Sequence, residues 1–314
     1  MYVATPGNFL RYGHAMNQRL SLPTALVLTV PPLMWAGNAV VGRLAADLIP
    51  PMTLNFLRWV IAFLILLPIA WQILRPTSSL WPAWRRYAVL GLLGVGCYNA
   101  LMYLALHTST PLNVTLVGAS VPVWMLLIGM VFFRQRISTM QAIGSVLSMA
   151  GVVVVLSRGD VARLAQIQFV AGDFYMVLAS IAWAFYSWML SQPKDPADIR
   201  SDWAAFLMAQ MVFGLGWAGV FAGSEWALTT ATIYWGWPLV AVLLYVAVGP
   251  AILAYRCWGI GVQRVGPATA SFFANLTPLI AAVLSAAFLG ELPQLYHAAA
   301  FLLIVGGIVV SSRR

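Results

Sequence analysis

Trp35 and Asn38 stand three residues apart, and Trp183 and Tyr186 repeat that spacing in the second half of the chain. Residues three or four apart share one face of a helix, so each pair would present an aromatic surface beside a hydrogen-bonding group. Asn99, Tyr103 and His107 follow at i, i+4 and i+8, with Tyr98 alongside, and predict a polar stripe along one helix. Tyr255 and Asn275 add hydrogen-bonding groups inside apolar runs, and Arg58 and Arg256 each add a guanidinium. An arginine at the centre of a spanning helix costs roughly 2.5–3.5 kcal/mol. Each of these lies about two turns from the end of its run, so it could snorkel to the surface or meet the carboxylate of a bound molecule. The set suits stacking on a flat ring and holding the polar ends of a small organic solute.

Enzyme chemistry fits less well. Catalysis needs a nucleophile, a base and charge-stabilising groups brought into one cluster, whereas the histidines are scattered. Asp47, Asp173, Asp202, Glu225 and Glu291 all fall at run ends or in connections. A lipid-modifying intramembrane enzyme is thereby disfavoured, and the absence of a GxxxxGK[ST] loop disfavours ATP-driven pumping. Cys97 and Cys257 have apolar neighbours and read as packing residues, so no metal and no cofactor is implied. Proton relays use buried carboxylates or histidines. Only His107 and His297, both near run ends, could serve here.

The elements that must position these groups follow from composition. Of 314 residues, 62% are hydrophobic and 8% are charged, against about half and about a quarter in soluble domains. Long unbroken stretches such as Phe63 to Ala70, Val121 to Phe133 and Phe301 to Val310 exclude the short alternating segments of a membrane barrel. Apolar runs near residues 22–45, 52–72, 87–107, 112–133, 140–157, 173–191, 202–222, 238–262, 268–289 and 295–311 predict an all-α integral membrane protein of ten transmembrane helices. The first run reads as an uncleaved span, not a signal peptide.

The net charge of +9 would suggest nucleic acid in a soluble protein. Here the cations sit in connections. With a cytoplasmic N-terminus, Arg11, Arg19, Arg75, Arg85, Arg86, Arg134, Arg136, Lys194, Arg200, Arg264, Arg313 and Arg314 lie inside and only Arg43, Arg158 and Arg163 outside, as the positive-inside rule requires. Both termini are then expected to be cytoplasmic, with lipid as the partner of every apolar face and no nucleic acid bound. Trp71, Trp81, Trp84, Trp226, Trp235 and Trp237 lie near run ends and fit interfacial belts.

The chain is duplicated. A shift of about 156 residues aligns Pro111 with Pro267, Pro122 with Pro278, Gly151 with Gly307 and Asn99 with Tyr255, and a slightly smaller shift sets Trp35 on Trp183 and Asn38 on Tyr186. Five helices per half is an odd number, so the second repeat must be inverted relative to the first, an organisation of secondary transporters with a site between the repeats. The expected division is an N-terminal segment 1–21, a first repeat 22–157, a periplasmic connection 158–172, a second repeat 173–311 and a C-terminal 312–314. Pro122 and Pro278 free a carbonyl one turn earlier. They mark the fourth and ninth helices, with Asn113, Thr115, Ser120, Ser271, Asn275 and Thr277 close before them, as candidate gates.

Trp35-Ala36-Gly37-Asn38, Leu57-Arg58, Gly172-Asp173 with Trp183-Ala184, and Pro278 followed by Gly290-Glu291 and Gly306-Gly307 together resemble the EamA-type ten-helix transporters of the drug/metabolite transporter superfamily. Arg134-Gln135-Arg136 stands where that family often has Gly-Glu-Arg. The resemblance implies two inverted bundles around a central cavity. It also implies movement of small organic metabolites across a bacterial inner membrane, with YddG-type exporters of aromatic and neutral amino acids most alike in size and layout. Purines, nucleosides and drugs remain alternative cargoes. A channel would need a ring of like charges or a repeated filter, and neither is visible.

Overall fold

The computed structural model describes residues 20–45, 47–109, 111–166, 168–289 and 294–313. Arg11, Arg19, Gly290, Glu291 and Arg314 lie outside them, as do the side chains of Arg43, His107 and Arg163. The described residues hold helices and no strand and, in order, form α1 (Leu22–Ala45), α2 (Pro51–Ala70), α3 (Trp84–Leu90, a π-helical turn Gly91–Cys97, then Tyr98–Thr108) and α4 (Pro111–Gly118 and Val121–Phe133). Next come α5 (Thr139–Ser157), α6 (Ala171–Ser191) and α7 (Trp203–Leu228). The last are α8 (Trp237–Val246, a π-helical turn Ala247–Leu253, then Ala254–Val265), α9 (Pro267–Ala274 and Leu276–Leu289) and α10 (Leu295–Ser311). A short helix, Ala197–Ser201, joins α6 to α7. Each expected run is a helix, and among the described residues the eight from α2 to α9 are long and apolar enough to cross a membrane.

The ends are set by local chemistry. Ser138 and Gln141 form a reciprocal capping box at the start of α5, and the Asp202 carboxylate accepts from Ala204 N and Ala205 N to open α7. At α2, Pro51 occupies a first-turn position that needs no amide. The amides of Met52 and Thr53 donate to Glu225, near the end of α7, at 3.0 and 2.9 Å. At the start of α3, Arg86 grips Asp195 at 2.6 Å and Arg200 grips it at 2.8 Å, fixing the α6–α7 connection.

Packing follows the repeat. The main contacts are α5 with α10, α3 with α6, α1 with α8, α3 with α7 and α2 with α7, then α4 with α6, α2 with α8 and α1 with α9. Exchanging the halves maps this set onto itself. The inversion is visible between α5 and α10, where Gly144 lies against Gly307 and Ser311 while Gly151 lies against Ala300 and Ile304. The two equivalent helices therefore run antiparallel. Leu64, Ile69, Val131, Phe132 and Leu302 stay exposed on the outside, an apolar surface that suits lipid and not water.

Two features were not legible as hydropathy. The π-helical turns Gly91–Cys97 and Ala247–Leu253 occupy equivalent places in the two repeats, and α4 and α9 are each interrupted just before their proline, at residues 119–120 and at Asn275. π-helical turns are rare and widen the helix locally. They lie immediately before Asn99 and Tyr255 and so set how these two side chains meet across the repeats.

The close contact of α5 with α10 makes a symmetric prediction. A Cβ at Gly151 would stand 2.6 Å from Ile304 Cγ1, and one at Gly307 would stand 2.7 Å from Gly144 O, whereas one at Gly306 meets nothing within 4 Å. Gly151→Ala and Gly307→Ala should each cost about 1–3 kcal/mol, and Gly306→Ala almost nothing. Thermal unfolding of the detergent-solubilised variants measures this.

Candidate functional site

Between the repeats lies a cavity of about 350 Å³. One wall is Asn38 of α1 with Asn99 and Tyr103 of α3; Trp35, Trp183 and Tyr98 contribute rings; Met102, Leu106, Val114 and Met176 complete the apolar lining. The cavity reaches the α1–α2 connection at Asp47, Ile49 and Pro51, where Asp47 is exposed. Away from that mouth the rings pack into a floor. Trp183 meets Trp35 edge to face at 5.4 Å, Tyr98 at 4.7 Å, Trp258 at 5.3 Å and Tyr255 at 5.4 Å. Beyond the floor, Trp188 of α6 stacks on Phe133 and donates its indole N–H to Met125 O at 2.7 Å, pinning α6 to α4.

The broken helices enter the lining at equivalent positions. Gly118, Ala119 and Val121 of α4 correspond to Ala274, Asn275 and Thr277 of α9, and all six line the cavity. Pro122 has no N–H to return to Gly118 O, and Pro278 has none for Ala274 O, so backbone acceptors are available where the helices part. Pro278 itself lines the cavity and Pro122 is buried. Asn275 turns its amide away, donating to Ser148 Oγ on α5 at 2.8 Å.

Behind the wall runs a continuous polar chain. Arg58 NH1 donates to Asn99 Oδ1 at 2.9 Å and to Tyr103 OH at 3.1 Å, and Tyr103 OH donates to Asn38 Oδ1 at 3.1 Å. Asn99 Nδ2 donates to Tyr255 OH at 3.3 Å, which donates onward to Gly94 O, a carbonyl of the first π-helical turn, at 2.5 Å. Asn55 Nδ2 takes the next such carbonyl, Val95 O, at 3.0 Å. Helices α1, α2, α3 and α8 are thus joined through side chains.

Of the residues singled out from sequence, Trp35, Asn38, Tyr98, Asn99, Tyr103, Trp183 and Asn275 are brought together at the cavity. Tyr186 and Tyr255 are buried one layer behind it, Tyr186 donating to Gln210 Oε1 at 2.8 Å. Arg58 neither snorkels nor lines the cavity; it is wholly buried beneath Asn99 and Tyr103. Arg256 is not part of the site, because the eighth helix turns it outward, exposed, with its guanidinium 4.1 Å from the Trp203 ring. Trp258, Asn55 and Gln210 also support the site and were not among the residues the sequence pointed to. Trp258 follows Tyr255 by three residues, the spacing already noted for Trp183 and Tyr186. No sequence pattern marks Asn55 or Gln210.

A model of the EamA-like transporter family matches residues 22–157 and 170–313. The uncharacterized inner membrane transporter YedA of Escherichia coli K12 is 26% identical over 88% of this chain and 86% of its own. A probable terminal-alkyne amino-acid exporter of Streptantibioticus cattleyicolor is 25% identical over 72% of each chain. A crystal structure superposes with a TM-score of 0.69 at 22% identity, covering 92% of this chain and 96% of that one, which speaks for the fold.

The floor geometry separates two tryptophans that look equivalent in sequence. Trp183 is 1% exposed with rings on several sides, and Trp35 is only partly buried. Trp183→Ala should lower unfolding stability by about 3–5 kcal/mol, as expected for a buried aromatic, and Trp35→Ala by clearly less. Thermal melts in detergent, run beside transport assays, would show whether the loss of floor packing or the loss of a cavity face dominates in each.

Proposed function

Because the chain belongs to the EamA-like transporter family, and so is a multi-pass membrane transporter and not an enzyme, we propose that its cargo is neutral and aromatic amino acids. The observation that carries this reading is the pairing of an aromatic floor with an amide-and-hydroxyl wall inside one cavity. Its volume falls in the range of about 300–1,000 Å³ usual for small organic ligands. A ring stacks on the partly exposed Trp35, which the buried Trp183 backs, and the polar end bonds to Asn38, Asn99 and Tyr103. Tyr98 closes the side, while Tyr186 and Tyr255 hold the wall and floor in place from behind. The exporter from Streptantibioticus cattleyicolor supports an amino-acid cargo by its name.

The chain sits in a bacterial inner membrane with both termini cytoplasmic, which the distribution of Arg and Lys among the connections supports. The 158–172 connection is then periplasmic and the cavity mouth faces outward. Export requires the floor to part and the mouth to close in alternation. The interruptions before Pro122 and Pro278 supply the bending points, since both border the cavity and lack a full hydrogen-bond ladder.

Counterflow of labelled Phe, Tyr, Trp, Thr and Met into liposomes holding the purified chain, with and without an imposed pH gradient, tests the reading. Saturable exchange indifferent to the gradient is the expected result. Accumulation driven by the gradient would add a proton to the cycle. Absence of exchange for every one of them would overturn the amino-acid cargo and redirect the search to nucleosides, purines and drugs.

A further inference from the structure

Arg58 is 0% exposed at the middle of α2, and among the described residues the ion pairs belong to Asp195, far along the chain, so no carboxylate balances it. Its Nε has no hydrogen-bond partner, and its guanidinium carbon lies 5.4 Å from the Trp59 ring, a face and not a counter-ion. A buried charge without its opposite is costly and is retained where something else completes it.

The charge also orders the protons around it. Arginine can only donate. Tyr103 therefore receives from Arg58 and passes its own proton to Asn38 Oδ1. With its oxygen engaged, Asn38 is left with its amide N–H groups, for which the described residues provide no acceptor, and Asn38 lines the cavity. The wall thus ends in a donor with a positive charge two bonds behind it. Asp47, exposed at the mouth, is the only carboxylate bordering the cavity among the described residues.

The second repeat lacks this device. Gln210 is the eighth residue of α7, as Arg58 is of α2. It is neutral and satisfied internally, its Oε1 accepting from Tyr186 OH and its Nε2 donating to Phe206 O at 2.9 Å. The duplication has been made one-sided in charge.

We propose that the Asn38 amide, backed through Tyr103 by Arg58, is the recognition point for a carboxylate on the transported solute, which supplies the counter-charge Arg58 lacks. The solute then lies one way round, its carboxylate toward the first-repeat wall and its apolar part toward Trp35 and Trp183. The inference rests on the cavity being the transport site proposed above, but it concerns the head group and not the amino group.

The test compares 3-phenylpropionate with 2-phenylethylamine, matched in ring and chain length and opposite in charge, by thermal unfolding of the purified full chain in detergent. The acid should raise the melting temperature in a saturable way and the amine should not. Arg58→Gln and Asn38→Asp should each weaken the acid at least ten-fold. Asn38→Asp keeps the side-chain shape and gives Arg58 an internal carboxylate, so it should melt no lower than the parent chain, and its loss of acid binding cannot be ascribed to unfolding. Equal stabilisation by acid and amine, none by the acid, or undiminished acid affinity in Asn38→Asp would overturn the proposal. If the acid binds as expected but no amino acid exchanges in liposomes, the cargo reading falls and this one stands. Amino-acid exchange with no preference for the acid does the reverse.

Discussion

A hydrocarbon interior offers no water to a polar group, so a buried donor or acceptor is costly unless protein or cargo answers it. In this chain that constraint gathers Asn38, Arg58, Asn99, Tyr103 and Tyr255 into one chain of hydrogen bonds at the junction of four helices. The rest of the site depends on it. The wall is held in register with the aromatic floor because Tyr255 belongs to both, bonding to Asn99 and Gly94 on one side and packing on Trp183 and Trp59 on the other.

The same constraint explains where helical regularity is given up. The carbonyls released in the π-helical turn of α3 do not go unanswered: Gly94 O takes Tyr255 and Val95 O takes Asn55. In α4 and α9 the release is caused by proline and falls beside the cavity. Irregular backbone at membrane depth is tolerated where it is buried in protein or faces a cavity, and both kinds of interruption obey that rule. The regular, tightly apposed α5 and α10, with glycines at their contact, form the counterpart that need not bend.

Duplication supplies symmetry, and function shows as departures from it. Trp35 and Trp183 are equivalent in sequence, yet one is a partly exposed cavity wall and the other a buried hub. Arg58 and Gln210 occupy matching places, and only one is charged. The two bundles are thus near equals in backbone and unequal in the charge behind the cavity wall.

Sequence by itself determined the helix count and the inverted repeat, because hydropathy and an odd helix number are local or periodic signals; i, i+3/i+4 spacing says only which side chains share a helix face, and it pairs Tyr186 with Trp183 as readily as Tyr103 with Asn99. Tertiary structure alone decided the fate of the two arginines. Each sits about two turns from a run end, so spacing along the chain treats them alike. Helix packing then turns Arg256 outward onto Trp203 and Arg58 inward onto Asn99 and Tyr103. It also decided that Tyr186 and Tyr255 stand behind the cavity, since depth is fixed by which helices lie in front, and that order is not written in any one helix.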